Sequence, residues 1–130
     1  MKKISLFDSL IKEGEEMLRL ASSELKEAEE NKDETQARQA AEKAYLALIK
    51  SFNAFFVKKG KQEEDLPKTD RGRRYFLHSL AGKDLENFYA ALRAKLHIDA
   101  FHDGLIIFES IEEDIKSLSK FIEEVKDGKK

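Results

Sequence analysis

The sequence predicts an all-α protein, an up-and-down bundle of four to five helices. Hydrophobic residues make up 41% of the chain and charged residues 38%, and there is one proline, with no cysteine and no tryptophan. Apolar residues recur at three- and four-residue steps over most of the sequence, which is the period of one face of an α-helix. At 130 residues the chain is expected to form a single domain, residues 1–130.

Two long helices are predicted first, followed by a loop. The first covers residues 5–31, and the second follows a cap at Asp33 or Thr35 and runs to Lys59. Alanines line the first half of the second helix, and Gly14 lies on the apolar face of the first helix. Small residues let helix axes approach closely, so the two helices are predicted to form a tight antiparallel hairpin.

The second half of the chain is predicted to form three shorter helices. After a loop at residues 61–69, a third helix covers residues 71–81, and a fourth begins near Lys83. The apolar stripe of the last helix starts at Phe101 and ends at Val125. One continuous helix from Lys83 to Val125 would be about 65 Å long, so a break or kink is expected between residues 96 and 104.

Polar residues interrupt the apolar pattern at this predicted joint. Arg93 and His97 would be neighbours on one helix face, as would Asp99 and His102. Asp99 also continues the apolar stripe of the fourth helix, where a carboxylate needs a donor from His102, Arg93 or a partner chain. We therefore take Arg93, His97, Asp99 and His102 as the candidate catalytic residues.

Two interpretations of the joint remain open from the sequence. In the functional one, a histidine is the general acid or base of metal-independent RNA cleavage, with a cation holding the phosphate. In the structural one, Asp99 or Asp103 caps the last helix and the histidines fill a half-buried joint. His97 and His102 would point about 140° apart on an unbroken α-helix, which argues against a closed metal site. No metal and no cofactor is predicted.

A second polar cluster surrounds the start of the third helix and is the only compact basic patch of the sequence. It contains Arg71, Arg73, Arg74 and His78. Free N–H groups and the dipole at a helix N-terminus favour anions such as phosphate. These four residues are the predicted nucleic-acid-binding set. In the alternative interpretation, the arginines pair with acidic residues 63–65 of the loop or with the first helix.

Composition excludes several classes of function. The formal net charge is −2, so any binding of nucleic acid must come from a local patch. The absence of cysteine excludes disulfides and thiolate metal sites. No apolar run approaches the ~18 residues of a membrane span, and no phosphate-binding glycine loop or Gly-x-Ser-x-Gly motif occurs. The protein is expected to be soluble and cytoplasmic.

Three stretches of the chain resemble small archaeal PaREP-type proteins and, through them, the wider class of HEPN helical bundles. They are residues 15–18 (EEML), 39–48 (QAAEKAYLAL) and 94–103 (AKLHIDAFHD). The last, which contains Leu-His-x-x-x-Phe-His-Asp, is the most specific. The resemblance implies a HEPN-like helical domain over residues 1–130 and a homodimer. Its interface would use the last helices, where Ile106, Ile107 and Phe121 lie off the main apolar stripe.

The resemblance also implies the range of functions to consider. Many HEPN proteins cleave RNA without a metal through an arginine followed by four to six residues and a histidine; others bind nucleotides or accompany a nucleotidyltransferase. In the sequence, three residues separate Arg93 from His97 and eight separate it from His102, so neither pair has this spacing. Four residues separate Arg73 from His78 and six separate Arg71 from His78, and both pairs have it. We therefore predict RNA or nucleotide binding, with metal-independent endoribonuclease activity as its catalytic form. The alternative is a non-catalytic helical interaction module, the partner of a nucleotidyltransferase or a toxin–antitoxin component.

Overall fold

The computed structural model describes residues 4–130 and consists of helices joined by short connections. Along this part of the chain lie α1 (Leu6–Asn31), α2 (Glu34–Lys58), α3 (Asp70–Leu80), α4 (Lys83–Arg93) and α5 (Phe108–Lys126). A 3-10 helix, Glu63–Asp65, precedes α3, and a π-helical segment, Ala94–His102, continues α4. Residues 4–130 contain no β-strand, which confirms the all-α prediction. None of their helices is long and apolar enough to cross a membrane.

Side-chain caps explain where the first three helices begin. Ser5 caps α1, Asp33 caps α2 and Thr69 caps α3. In each case the side-chain oxygen accepts the backbone N–H three residues further on, at 3.0 Å. The predicted bounds of these helices are therefore correct to within one or two residues, and Asp33 is the cap of α2 rather than Thr35.

α1 and α2 make the most extensive helix–helix contact within residues 4–130. Five alanines of α2 are fully buried: Ala37, Ala40, Ala41, Ala44 and Ala47. A Cβ atom on Gly14 of α1 would lie 3.6 Å from the carbonyl oxygen of Ala47, so the two backbones nearly touch there. The predicted antiparallel hairpin, held close by small residues, is confirmed.

Aromatic residues in the second half of α2 form the centre of the core. The fully buried ring of Phe52 meets Tyr89 of α4 edge-on at 5.4 Å and stacks on Phe121 of α5 at 4.6 Å. These contacts join three helices of the bundle. Phe121 is only 3% exposed within the single chain, so the expectation that it would be left for a dimer interface is wrong.

The predicted break between α4 and α5 is present. The chain stays helical through the π segment to His102, leaves the helix within the expected range of residues 96–104, and begins α5 at Phe108. Gly104, with φ +71°, lies in the non-helical stretch between them. The predicted start of the last helix at Phe101 is wrong because Phe101 belongs to the π segment that continues α4. No side chain caps α5, so neither Asp99 nor Asp103 has that role.

Candidate functional site

The π segment brings the two histidines of the joint together. In a π-helix each N–H bonds to the carbonyl five residues earlier, so residues five positions apart lie on the same side. The ring centroids of His97 and His102 are accordingly 4.6 Å apart, in an edge-to-face arrangement. The separation of about 140° that an unbroken α-helix would give therefore does not apply to these two side chains. Short π-helical stretches within helices occur frequently at functional sites.

His97 is oriented by two residues of α2. Its Nδ1 lies 2.9 Å from Oε1 of Glu42, and its ring stacks on Tyr45 with centroids 4.4 Å apart. An ionised carboxylate can only accept a hydrogen bond, so Nδ1 must carry the hydrogen. In the neutral ring, Nε2 then keeps a free lone pair, which is the arrangement of a general base oriented by a carboxylate. The side chain of His97 is 21% exposed.

His102 is exposed, and its backbone is fixed from α2. Nε of Arg38 donates to the carbonyl oxygen of Phe101 at 2.9 Å, and Nη2 donates to that of His102 at 3.0 Å. Carbonyls at the C-terminal end of a helix lack intrahelical partners, so Arg38 supplies the missing donors. A Cβ atom on Gly104 would be 3.5 Å from Nη1 of Arg38. The guanidinium therefore packs directly against the end of the π segment.

Arg73, from the second sequence cluster, lies in the core and not at the surface. It is 6% exposed; its Nε donates to the Tyr89 hydroxyl at 2.8 Å and its Nη2 to the Tyr45 hydroxyl at 3.4 Å. Burial opposes the charged form, but the interactions with the two tyrosines outweigh it and raise the pKa of Arg73. Burial also raises the pKa of Tyr89, whose hydroxyl stays protonated and donates to Oδ1 of Asp70 at 2.8 Å.

Asp70 gathers two further arginines at the start of α3. Its Oδ2 lies 3.1 Å from Nε of Arg74, and its Oδ1 lies 3.2 Å from Nε of Arg93. The second contact is an ion pair without a good hydrogen bond, because the buried Nε of Arg93 has no hydrogen-bond partner among residues 4–130. The alternative interpretation, in which the arginines pair with residues 63–65 or α1, is therefore wrong for Arg73 and Arg74. The acidic partner of Arg74 and Arg93 is Asp70.

The two sequence clusters meet at Tyr45. Its hydroxyl contacts Arg73 and its ring stacks on His97, so a continuous chain of contacts links both clusters. We call this set the Tyr45 network: Glu42, Tyr45, Asp70, Arg73, Arg74, Tyr89, Arg93 and His97. The network contains three arginines and two carboxylates, so its formal charge is positive even when His97 is neutral.

Some predicted site residues lie outside this network. Asp99 is half-buried, and its side chain forms no hydrogen bond or ion pair within residues 4–130; neither His102 nor Arg93 is its donor. It lines a small cavity with Lys95 and Asp114, which form their own ion pair at 3.5 Å. Burial raises the pKa of Asp114.

The solvent face of α3 carries the remaining residues of the basic cluster. Arg71, Arg74 and His78 are exposed there, and between them stands Tyr75, which is 70% exposed. Nδ1 of His78 lies 3.3 Å from Oε2 of Glu86 on α4. Arg71 forms no ion pair within the described part of the chain. Of the four residues predicted to bind nucleic acid, three thus face solvent and Arg73 does not.

Sequence analysis missed five residues of this region: Arg38, Glu42, Tyr45, Asp70 and Tyr89. A signal existed for the tyrosines, because Tyr45 and Tyr89 lie on apolar stripes and a buried tyrosine hydroxyl needs a partner. No comparable signal marked Arg38, whose partners are backbone carbonyls far along the chain. Within residues 4–130 no group of three or more His, Asp or Glu side chains is placed to share a metal ion.

Comparison with known proteins identifies the family of the chain. No curated protein and no solved structure matches the chain. A model of the archaeal PaREP1/PaREP8 family matches residues 16–122, a span that includes the Tyr45 network, both histidines of the π segment and the face of α3. The match agrees with the three stretches from which the sequence suggested a PaREP-type protein. The chain belongs to the archaeal PaREP1/PaREP8 family.

Proposed function

We propose that this protein binds single-stranded RNA, or a nucleotide, through the solvent face of α3. The observation that carries the proposal is Tyr75, which is 70% exposed. It stands one helical turn after Arg71 and one turn before His78. An exposed aromatic ring among cations offers an unpaired base a surface to stack on and its phosphates a charge to contact.

The charges of this face favour a polyanion locally. Arg71 forms no ion pair within residues 4–130, and Arg74 remains 44% exposed although it contacts Asp70. The chain as a whole carries a formal net charge of −2, so attraction depends on this face. Binding should therefore weaken steeply with added salt, as expected when a few phosphates release their counterions.

Fluorescence anisotropy with a short labelled single-stranded RNA tests the proposal. Tyr75→Ala should weaken binding by about 5- to 150-fold, which corresponds to the ~1–3 kcal/mol of one stacked base. Arg71→Ala should reduce the slope of log K against log salt by about 0.7. Arg19→Ala, an exposed arginine paired with Glu16 on α1, is the matched control and should change neither quantity. Wild-type protein that does not bind this RNA at low salt would contradict the proposal.

The imidazole pair favours a second candidate function, metal-independent endoribonuclease activity. Nε2 of His97, with Nδ1 held by Glu42, can take the proton of a ribose 2′-hydroxyl. The resulting oxygen attacks the adjacent phosphorus; the bond from phosphorus to the 5′-oxygen breaks, and protonated His102 donates its proton to that leaving oxygen. The products are a 2′,3′-cyclic phosphate and a free 5′-hydroxyl. Arg93, 24% exposed, is the nearest arginine in sequence for holding the phosphate.

Cleavage is tested on a mixed RNA pool in the presence of a chelator, with analysis of the product ends. His97→Asn and His102→Asn should each abolish cleavage and leave the melting temperature nearly unchanged. Glu42→Gln should lower the rate less, because the amide oxygen can still accept from Nδ1. Arg19→Ala, an exposed residue of α1 outside both the Tyr45 network and the face of α3, is the control and should retain activity. An RNA pool left intact by wild-type protein would exclude the nuclease and leave the binding proposal standing.

We also propose that the protein is a homodimer. Leu105 and Ile107 are 56% and 52% exposed, and together with Ile106 they form an apolar stretch beside the π segment. Sedimentation at micromolar concentration should give about twice the 15.0 kDa of one chain, and a 15.0 kDa species alone would refute the dimer. If wild-type protein neither binds nor cleaves RNA, the helical interaction module, a partner for a nucleotidyltransferase or a toxin–antitoxin component, becomes the better proposal.

A further inference from the structure

We propose a second binding site, unrelated to RNA, for an amphipathic organic anion with an acyl or similar apolar body and one carboxylate. The site is a cavity of about 600 Å³ at the C-terminal end of α2, away from Glu42 and His97. α3, α4, α5 and the last two residues of the chain complete its walls. Cavities of this size are typical of sites for small organic ligands.

The floor of the cavity is apolar and belongs to the aromatic core. Phe55 and Phe121 are 2% and 3% exposed, and Phe88 is half-buried between them and solvent. The rings of Phe88 and Phe121 are 5.3 Å apart, and Leu80 and Leu85 extend the same surface. Of the three rings only Phe88 is partly open to solvent, so an apolar body placed here would cover Phe88 together with the partly exposed Leu80 and Leu85.

The rim of the cavity is cationic. Four lysines line it: Lys59, Lys120, Lys129 and Lys130. Two acids also line it, Glu124, which pairs with Lys130 at 3.2 Å, and Asp84. Lys59 contacts the face of Phe55, with Nζ 5.3 Å from the ring centroid, so a cation already lies over the aromatic floor.

Floor and rim together select the class of ligand. Four lysines against two carboxylates leave two uncompensated positive charges around an aromatic surface. A neutral apolar molecule would use only the floor, and a small inorganic anion would use only the rim. A molecule with an acyl chain on Phe88, Leu80 and Leu85 and a carboxylate near Lys120 and Lys129 uses both.

Calorimetric titration of the full chain with dodecanoate tests the site. Wild-type protein should bind dodecanoate, bind butyrate more weakly, and bind the uncharged 1-dodecanol about tenfold more weakly. The double variant Lys120→Glu/Lys129→Glu should lose about tenfold or more in affinity, because two attractions become repulsions. Lys83→Glu is the control: it reverses the charge of one exposed lysine, at the start of α4, that does not line the cavity.

Three outcomes would overturn the proposal. They are an absence of dodecanoate binding, equal losses in the double variant and in Lys83→Glu, and equal affinity for dodecanoate and 1-dodecanol. The positions of NMR shift changes give an independent check. Amides near Phe88 and Lys120 should respond to dodecanoate, and a response confined to the groove between α1 and α5 would place the ligand elsewhere and refute the site.

Discussion

Replacing Tyr89 by phenylalanine removes one oxygen atom from the centre of the Tyr45 network and keeps the ring. That oxygen accepts Nε of Arg73 at 2.8 Å and donates to Asp70 at 2.8 Å. Tyr89 is fully buried, so water does not have ready access to take the place of the lost hydroxyl. The change therefore leaves a buried guanidinium without its shortest hydrogen bond and Asp70 without one of its donors.

The magnitude follows from the charges of the two partners. A hydrogen bond to a charged group contributes about 1.5–3 kcal/mol, and Tyr89 makes two, so Tyr89→Phe should lower the free energy of unfolding by about 3–6 kcal/mol. Tyr45→Phe loses a longer contact, 3.4 Å to Arg73, and should cost about 1 kcal/mol. Tyr75→Phe, at a site 70% exposed, should stay within about 0.5 kcal/mol.

These three variants cover all three tyrosines of the chain and differ only in where one hydroxyl is lost. Urea denaturation monitored by circular dichroism gives the three free energies, and the melting temperature of Tyr89→Phe should fall by roughly 12 °C or more. A double-mutant cycle with Arg73→Met should show strong non-additivity for Tyr89→Phe. A cost for Tyr89→Phe below about 1 kcal/mol, or equal to that of Tyr75→Phe, would refute a stabilising role of the network.

Three other changes test the rest of the structure. Ile115→Ala, at a site 7% exposed in α5, should cost about 2–5 kcal/mol in denaturant melts, and a surface-like cost below about 1 kcal/mol would show that α5 is not packed as described. Arg38→Ala should speed hydrogen exchange at the amides of Asp103 and Leu105 far more than Arg38→Lys, and equal protection in both would show that Arg38 does not hold the end of the π segment. The raised pKa of Asp114 means that its ionisation costs stability as pH rises above the ordinary aspartate value of about 3.9. The stability difference between Asp114→Asn and wild type should therefore shift in favour of the variant from acid to neutral pH, and a pH-independent difference would contradict this.

The parts of the fold that the sequence predicts well depend on local signals. Ser5, Asp33 and Thr69 can each cap a helix through a bond to a residue only three positions away, so the helix starts can be found without knowing the fold. The alanines of α2 and Gly14 predict a close helix pair because small side chains on a buried face let the two helix backbones approach each other.

The candidate site was harder to predict because its contacts are long-range. The bond between His97 and Glu42 spans 55 positions, and those from Arg38 to the π segment span 63 and 64. The π segment itself has the composition of an ordinary amphipathic helix, so the pairing of His97 with His102 cannot be read from an α-helical period. The sequence identified the polar clusters but not the residue, Tyr45, through which they meet.

The position of Arg73 suggests why those clusters form one unit. A buried charge is weak evidence for stability, because well-packed apolar residues of similar volume often serve as well. Arg73 is instead connected in two directions. Through the hydroxyl of Tyr89 it is linked to Asp70 at the start of α3, and through the hydroxyl of Tyr45 it is linked to His97, on which the Tyr45 ring stacks. Neither hydroxyl can move without breaking a contact of the guanidinium. We infer that the network fixes the start of α3 relative to the π segment, and so holds the exposed face of α3 and the imidazole pair in one constant arrangement.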